Sequence, residues 1–423
     1  MWARIRRRPL RFILLGALLL RWASAGVLQD HLDQSPNRDF LIEGDAGGYW
    51  ELGRRIASGE DYEIHQPPRQ VLRMPGFPAV LAFSMKMAGW IGGHDLRFLA
   101  ARMLLAGVGT LGCGLVYWLG KELFDETTGL IAAGLTAVMP TMVIFSVVIL
   151  SETLFAAALL ASLLAMSKLA KTDLNPFSLW RSICLPLAAG AMVALACYVR
   201  PSWLLAAPLF ALLNLWIAEN KKEAVLRGGL VMAGLCLALA PWAFRNYRVT
   251  GHWVVTTLWV GPSLYDGLNP KATGDSNMQF FEDDKLMDKM SEYEVDQVYR
   301  QKARQFAFSN PGRTIQLAFI KLWRFWKPWP NAAQFGGGWT KLAVGLFFVP
   351  LVLLAGRGWW TCRALPWSWL LTLGPILYFS VLHMVFVASL RYRLPAEYPL
   401  CLLSAAGLRS FWQAKFDCSS QAG

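Results

Sequence analysis

The sequence predicts an all-α polytopic membrane protein with about ten transmembrane helices and amphipathic surface helices in its outer loops. Hydrophobic residues make up 55% of the 423 positions and charged residues only 16%. That is too little polar surface for the two or three soluble domains the length would otherwise suggest. Mean hydropathy is +0.36. Apolar stretches near the roughly 20 residues needed to cross a bilayer recur along the whole chain.

The first eight residues are basic and lead into an apolar run at about 9–28. Ala23-Ser24-Ala25 mimics a cleavage site, but Arg21 interrupts the run and many spans follow, so it reads as an uncleaved signal anchor. Further spans are expected at about 97–119, 128–148, 153–169, 183–199, 202–218, 227–244, 339–356, 366–388 and 395–411. With both termini inside, the short cytoplasmic loops carry Lys121; Lys168, Lys171 and Arg181; Lys221, Lys222 and Arg227; Arg357 and Arg363; and Arg409 and Lys415, as the positive-inside rule requires. Residues 75–93 and 313–328 are apolar but interrupted by charge. Either one counted alone as a span would invert the later topology, so both read as amphipathic helices on the outer interface.

Two long outer segments remain, at about 29–96 and 245–338, the second with a charged helix-like stretch around Phe281–Phe308. The chain then divides into a membrane module at 1–244 that includes the first outer loop, an outer loop at 245–338, and a second membrane module at 339–423. The formal charge of +13 is explained by loop topology and does not call for nucleic acid. Seven cysteines without a CxxC pair give no disulfide framework or metal site. No GxxxxGKS, HExxH or GxSxG pattern is present, so nucleotide, zinc and serine hydrolysis are poorly supported.

The polar residues that break apolar runs at the outer side are the candidates for chemistry. Asp45 and Tyr49 lie in Asp45-Ala46-Gly47-Gly48-Tyr49, where the carboxylate suits either a general base or the cap of a helix starting near Gly47. Arg73 precedes Pro75-Gly76-Phe77-Pro78 and suits either a phosphate or an interfacial position. Ser151-Glu152 and Arg200-Pro201 interrupt apolar runs, and an ionisable residue there marks a functional site. Arg391-Tyr392-Arg393 stands at a membrane boundary, where two guanidinium groups suit a lipid-linked phosphate. Arg245, Asn246, Tyr265 and Asn269 sit in a Gly-, Asn- and Pro-rich loop that suits sugar binding or an ordinary turn.

In order along nearly the whole chain, these segments resemble the GT-C fold glycosyltransferases. Within that fold they look more like the bacterial branch related to dolichyl-phosphate-mannose protein mannosyltransferases and lipid A aminoarabinose transferases. The resemblance rests on Asp45 to Tyr49, Arg73 to Pro78 (where the family usually has Arg-Pro-Pro-Gly-Tyr-Pro), Ser151-Glu152, Arg200-Pro201, Pro241-Trp242 with Arg245-Asn246, Asn269-Pro270 with Ala272-Thr273-Gly274, and Arg391 to Pro395. It implies a sugar donor carried on a polyprenyl phosphate, with Asp45 as catalytic base and Glu152 in the cavity. Arg391 and Arg393 would hold the donor phosphate with Arg200 and Arg73, while Tyr49, Arg245, Asn246, Tyr265 and Asn269 would bind substrate. No cofactor is required, and a divalent metal is unsupported. The protein mannosyltransferases have Asp-Glu where this chain has Asp45-Ala46, so a lipid or glycan acceptor is favoured over a protein. The expected location is the bacterial cytoplasmic membrane with the active site outside. A flippase, or a ligase or polymerase of lipid-linked glycans, is the alternative.

Overall fold

A computed structural model describes residues 8–421 except 36, 37, 92, 94, 95, 172–178, 331–336 and 364. The basic start of the chain therefore lies outside the described residues, apart from Arg8. In chain order the helices are α1 (Arg8–Asp33), α2 (Asp45–Ser58), α3 (Gly76–Trp90), α4 (Arg97–Leu123), α5 (Glu126–Val138), α6 (Pro140–Phe145), α7 (Glu152–Ala170) and α8 (Leu185–Val199). They continue as α9 (Ala206–Ile217), α10 (Lys221–Thr250), α11 (Val260–Gly267), α12 (Gln279–Asp284), α13 (Glu292–Ser309), α14 (Pro311–Trp326), α15 (Gly338–Cys362), α16 (Pro366–Val385) and α17 (Leu390–Gln421).

Among the described residues, seven helices are long and apolar enough to cross a membrane: α1, α4, α7, α8 with the turn before it, α10, α15 and α16. Three of the ten expected runs fall short of that length and composition. The run 128–148 is broken at Met139-Pro140 into α5 and the six-residue α6, because proline cannot continue the preceding helix. The run 202–218 forms a shorter apolar helical stretch, Pro201–Ile217, made of a 3₁₀ turn at Pro201–Trp203 and the twelve-residue α9. The last run lies in α17, where Glu397, Arg409 and two prolines dilute the apolar stretch. The boundary expected at 244 falls inside α10.

Arg21, which interrupted the first apolar run, is fully buried and donates to the carbonyls of Thr136 and Ala137. Those are among the last carbonyls of α5, which have no partner within their own helix. The cation in α1 thus closes the helix end that Met139-Pro140 leaves open.

The two segments expected to lie on the interface form α3 and α14, of 15 and 16 residues. Helix α14 buries Leu317, Lys321 and Phe325 and exposes Ile315, Phe319 and Trp323. Each set recurs every four residues, so the helix is apolar on both its packed side and much of its open side. The charged stretch near Phe281–Phe308 is two helices, α12 and α13, the second begun by a Ser291–Glu294 capping box.

Close glycine contacts join two helix pairs. A Cβ at Gly190 or Gly234 would come within 1.9 or 2.1 Å of a carbonyl oxygen across the α8–α10 contact. At Gly358 and Gly407 the corresponding distances across α15–α17 are 1.8 and 2.0 Å. Only glycine permits backbones to approach this closely.

Candidate active site

A cavity of about 420 Å³ opens at the end of the bundle where α8 and α16 finish and α2, α7 and α17 begin. Its size lies in the usual range for small-ligand sites. Asp45, Tyr49, Arg73, Arg200 and Arg391 all line it. Residues 28 to 346 positions apart in sequence (45 with 73, 45 with 391) are thus brought together.

Asp45 is the first residue of α2. Gly44 precedes it at φ 73°, and the Asp45 side chain makes no capping bond. Instead, Oδ1 accepts from Arg73 at 2.5 Å and Oδ2 pairs with Arg391 at 2.8 Å. Burial pushes this carboxyl up, but Arg73 and Arg391 outweigh it and hold its pKa well below the usual carboxylate range. Behind the cavity wall, Glu152 is buried and its Oε1 accepts from Arg200 at 2.5 Å and from Arg391 Nε. Ser151 does not cap α7; its hydroxyl accepts from Arg200. Arg391 therefore bridges both carboxylates. Three guanidinium groups against two carboxylates leave the cluster one positive charge in excess.

Tyr49 lines the cavity with the Arg73 guanidinium 5.0 Å from its ring centre. The remaining expected site residues are turned elsewhere. Arg393 is buried, pairs with Glu397 at 2.7 Å and donates to the carbonyls of Phe325 and Lys327 at the end of α14. It closes a helix end and faces away from the cavity, so its expected pairing with Arg391 on one phosphate is not met. Arg245 donates to the carbonyls of Gln70 and Tyr62, and Asn246 to that of Val254, fastening the end of α10 to the 62–71 segment and to the loop that follows it. Tyr265 packs in an aromatic cluster with Phe280 and Tyr299, and Asn269 ties the turn after α11.

Other lining residues were not singled out from the sequence: Trp259, Ser263, Asp266, Tyr378 and His383, with Tyr392 noted only as a spacer. Asp266 stood within the Gly- and Asn-rich loop, and both its oxygens accept bonds, from Asn277 N–H and Ser276 Oγ. His383 is a single histidine in an apolar run, a pattern that ordinarily marks core packing. Among the described residues no cluster of three His, Cys, Asp or Glu stands close enough to hold a metal ion.

A second, mostly apolar cavity of about 260 Å³ adjoins the first, and Ser276, Val387, Arg391 and Tyr392 line both. Leu41, Ile42, Ile144, Phe145 and Val344 form much of its surface.

The profile of the dolichyl-phosphate-mannose-protein mannosyltransferase family matches residues 72–244. No curated protein matches the chain. Among solved structures, the oligosaccharyltransferase AglB from Archaeoglobus fulgidus, in complex with an inhibitory peptide and a dolichol-phosphate, aligns over 99% of this chain and 52% of its own, at 13% identity and a TM-score of 0.62. The apo form from the same organism gives 16% identity over the same shares, also at 0.62. ArnT from Cupriavidus metallidurans, bound to undecaprenyl phosphate, aligns over 94% of this chain and 77% of its own at 16% identity and a TM-score of 0.37. The chain spans about half the length of the archaeal structures it matches. On the archaeal alignments and the helical architecture described above, the chain has the GT-C fold of membrane glycosyltransferases, with its 72–244 segment similar to the dolichyl-phosphate-mannose-protein mannosyltransferases.

Proposed function

We propose that this protein is an integral-membrane glycosyltransferase, moving a hexosyl or pentosyl group from a polyprenyl-phosphate donor to an acceptor hydroxyl at the outer face of a bacterial cytoplasmic membrane. The observation that carries this reading is the Arg73–Arg200–Arg391 cluster, with one net positive charge after its two carboxylates, where a larger cavity bearing these charged groups meets a smaller one that is almost wholly apolar. A sugar polyprenyl phosphate is a phosphodiester with one negative charge, a polar head and an apolar tail. Its phosphate matches the cluster in charge, and Arg391 lies on both walls, so the sugar would enter the larger cavity and the first isoprene units the smaller. The dolichol-phosphate bound by the archaeal structure of the same fold supports a lipid phosphate as ligand. A lipid or glycan acceptor fits better than a protein.

As the bond to the anomeric carbon breaks, the departing phosphate gains a second negative charge. Guanidinium groups already held in place by Asp45 and Glu152 stabilise that charge without reorganising at the moment of reaction. In this reading the two carboxylates orient the arginines. A carboxylate paired on both oxygens, with its pKa held low, is a weak proton acceptor, so Asp45 is assigned to positioning in place of the base expected from the sequence.

The test uses purified protein in detergent with radiolabelled polyprenyl-phosphate hexose as donor and envelope extract from a strain lacking the gene as acceptor source. Transfer that depends on the polyprenyl lipid is expected. Equal transfer from a nucleotide sugar with no polyprenyl lipid present would overturn the reading.

A further inference from the structure

Resting on this function, we propose that Asp266 reads the donor sugar, accepting hydrogen bonds from hydroxyls on the edge of the ring remote from the anomeric carbon. Helix α11 and the residue before it present Trp259, Ser263 and Asp266 to the larger cavity. Spacings of four and three positions put the three on one face of the helix. The two ends of this stripe differ in charge. Trp259 lies beside the arginine cluster, with the Arg73 guanidinium 5.6 Å from its ring centre. Asp266 comes two helical turns later, about 10 Å further along the axis. A phosphate held by the arginines fixes the anomeric carbon at the first end, so a sugar laid along α11 directs its far hydroxyls towards Asp266. Between the ends, Trp259 supplies an apolar wall, braced edge-on by Phe281 at 5.2 Å. Aromatic lining with a few placed polar groups is what orients a small ligand and gives its site specificity.

The carboxylate has acceptor capacity to spare. Asp266 is only 4% exposed, and its Oδ1 accepts from Asn277 N–H at 2.8 Å and its Oδ2 from Ser276 Oγ at 2.7 Å. An ionised carboxylate offers about four acceptor sites, so those two donors leave about half of them open. Among the described residues Asp266 forms no ion pair. The buried Lys321 beside it donates instead to the carbonyls of Gly267 and Val385. A buried carboxylate at a cavity wall is costly unless donors fill its remaining sites, and sugar hydroxyls are such donors, in bonds stronger than those between neutral groups. Of the two carboxylates lining this cavity, Asp45 meets arginines on both oxygens, which leaves Asp266 to receive neutral hydroxyls. Its two existing bonds hold the carboxylate in one orientation, as recognition of a single sugar edge requires.

The test measures kcat/KM in the transfer assay above for a panel of polyprenyl-phosphate-linked hexoses and pentoses, then for monodeoxy analogues of the best donor. Wild type, D266N, D266A and S276A are compared. D266N keeps an oxygen for Asn277 N–H and an amide to donate to Ser276 Oγ, so the turn stays closed, whereas S276A loosens the turn and keeps the carboxylate. Each deoxy penalty is a ratio between two donors on one preparation, so it does not depend on the fraction of protein that is folded. Wild type is expected to lose roughly 10–100-fold, the range for one hydrogen bond to a charged group, when the hydroxyl at C3 or C4, across the ring from the anomeric carbon, is removed. That penalty should shrink in D266N, vanish to within about threefold in D266A and persist in S276A. A penalty undiminished in D266N, or lost equally in S276A, overturns the assignment and leaves the function intact, as does a wild type indifferent to both hydroxyls. No transfer by wild type from any of these donors overturns the function itself and the sugar reading with it.

Discussion

Helix α17 begins with two arginines two residues apart, and its two sides treat them differently. On the cavity side, Arg391 joins Asp45 and Glu152 and lines the larger cavity. On the core side, Arg393 meets Glu397 and the last carbonyls of α14. Successive helical positions turn by about 100°, so positions i and i+2 point roughly 200° apart. The same residue type therefore serves ligand chemistry on one side and helix termination on the other. Arg21 at α5, and Lys321 at the ends of α11 and α16, repeat the core-side pattern. Each sits where the helix dipole is negative and the carbonyls lack partners.

Breaking the core side should be the most damaging. R393A leaves Glu397 buried with only Thr141 beside it, and removing one partner of a buried pair costs about 3–5 kcal/mol. Denaturant or thermal unfolding would register this, and the protein that remains folded should transfer sugar at near-normal rates. Lost donor binding with unchanged stability would place Arg393 in the site after all. On the cavity side, R391A should lower kcat/KM by roughly 10²–10³, the range for removing one preorganised donor at a developing negative charge. R391K should fall between R391A and wild type, because a lysine cannot bridge both carboxylates and still present a fork to phosphate.

A third variant examines a capping cation by titration. Burial pushes Lys321 down to about 8 from its ordinary value near 10.5. The unfolded chain therefore holds this proton more tightly, and stability should rise as pH increases from about 8 towards 10, by at most about 3 kcal/mol. K321M should lack this rise in pH-dependent unfolding. An identical slope in both proteins would mean that the rise, if present, comes from other groups.

The smallest effect is expected from D45N. It removes a charge that aims Arg73 and Arg391 but leaves three guanidinium groups in place, so transfer should fall about tenfold, mostly through donor affinity. A kcat loss of roughly 10²–10⁴ with donor binding unchanged would restore Asp45 as the base.

These contrasts also mark what the sequence could reveal. Glu152, Arg200 and Arg391 stood out because each marks the break or boundary of an apolar run, and Asp45 and Arg73 because they stand in a Gly-rich and a Pro-Gly-rich motif; the fold gathers all five at one end of the bundle. The helices themselves followed from hydropathy, except where Pro140 and the shortness of 206–217 cut a run that composition alone left whole. Side-chain direction was not legible. Arg393, Arg245 and Asn246 have the same chemistry as the cavity residues and spend it on backbone carbonyls. His383 was missed for the opposite reason, since its apolar neighbours Phe325 and Val387 come from elsewhere in the fold or beyond the helix end.

The glycine contacts have a mechanical consequence. With Gly190 and Gly234 locking α8 to α10, and Gly358 and Gly407 locking α15 to α17, those pairs have almost no slack in which to slide or spread. Compliance at the cavity is then concentrated in the 255–278 segment, which supplies Thr256, Trp259, Ser263 and Asp266 to its wall. Selection for a bulkier or differently shaped sugar should accordingly accumulate changes in that segment and spare the helix pairs, so the bundle works as a fixed jaw and the 255–278 segment as the adjustable one.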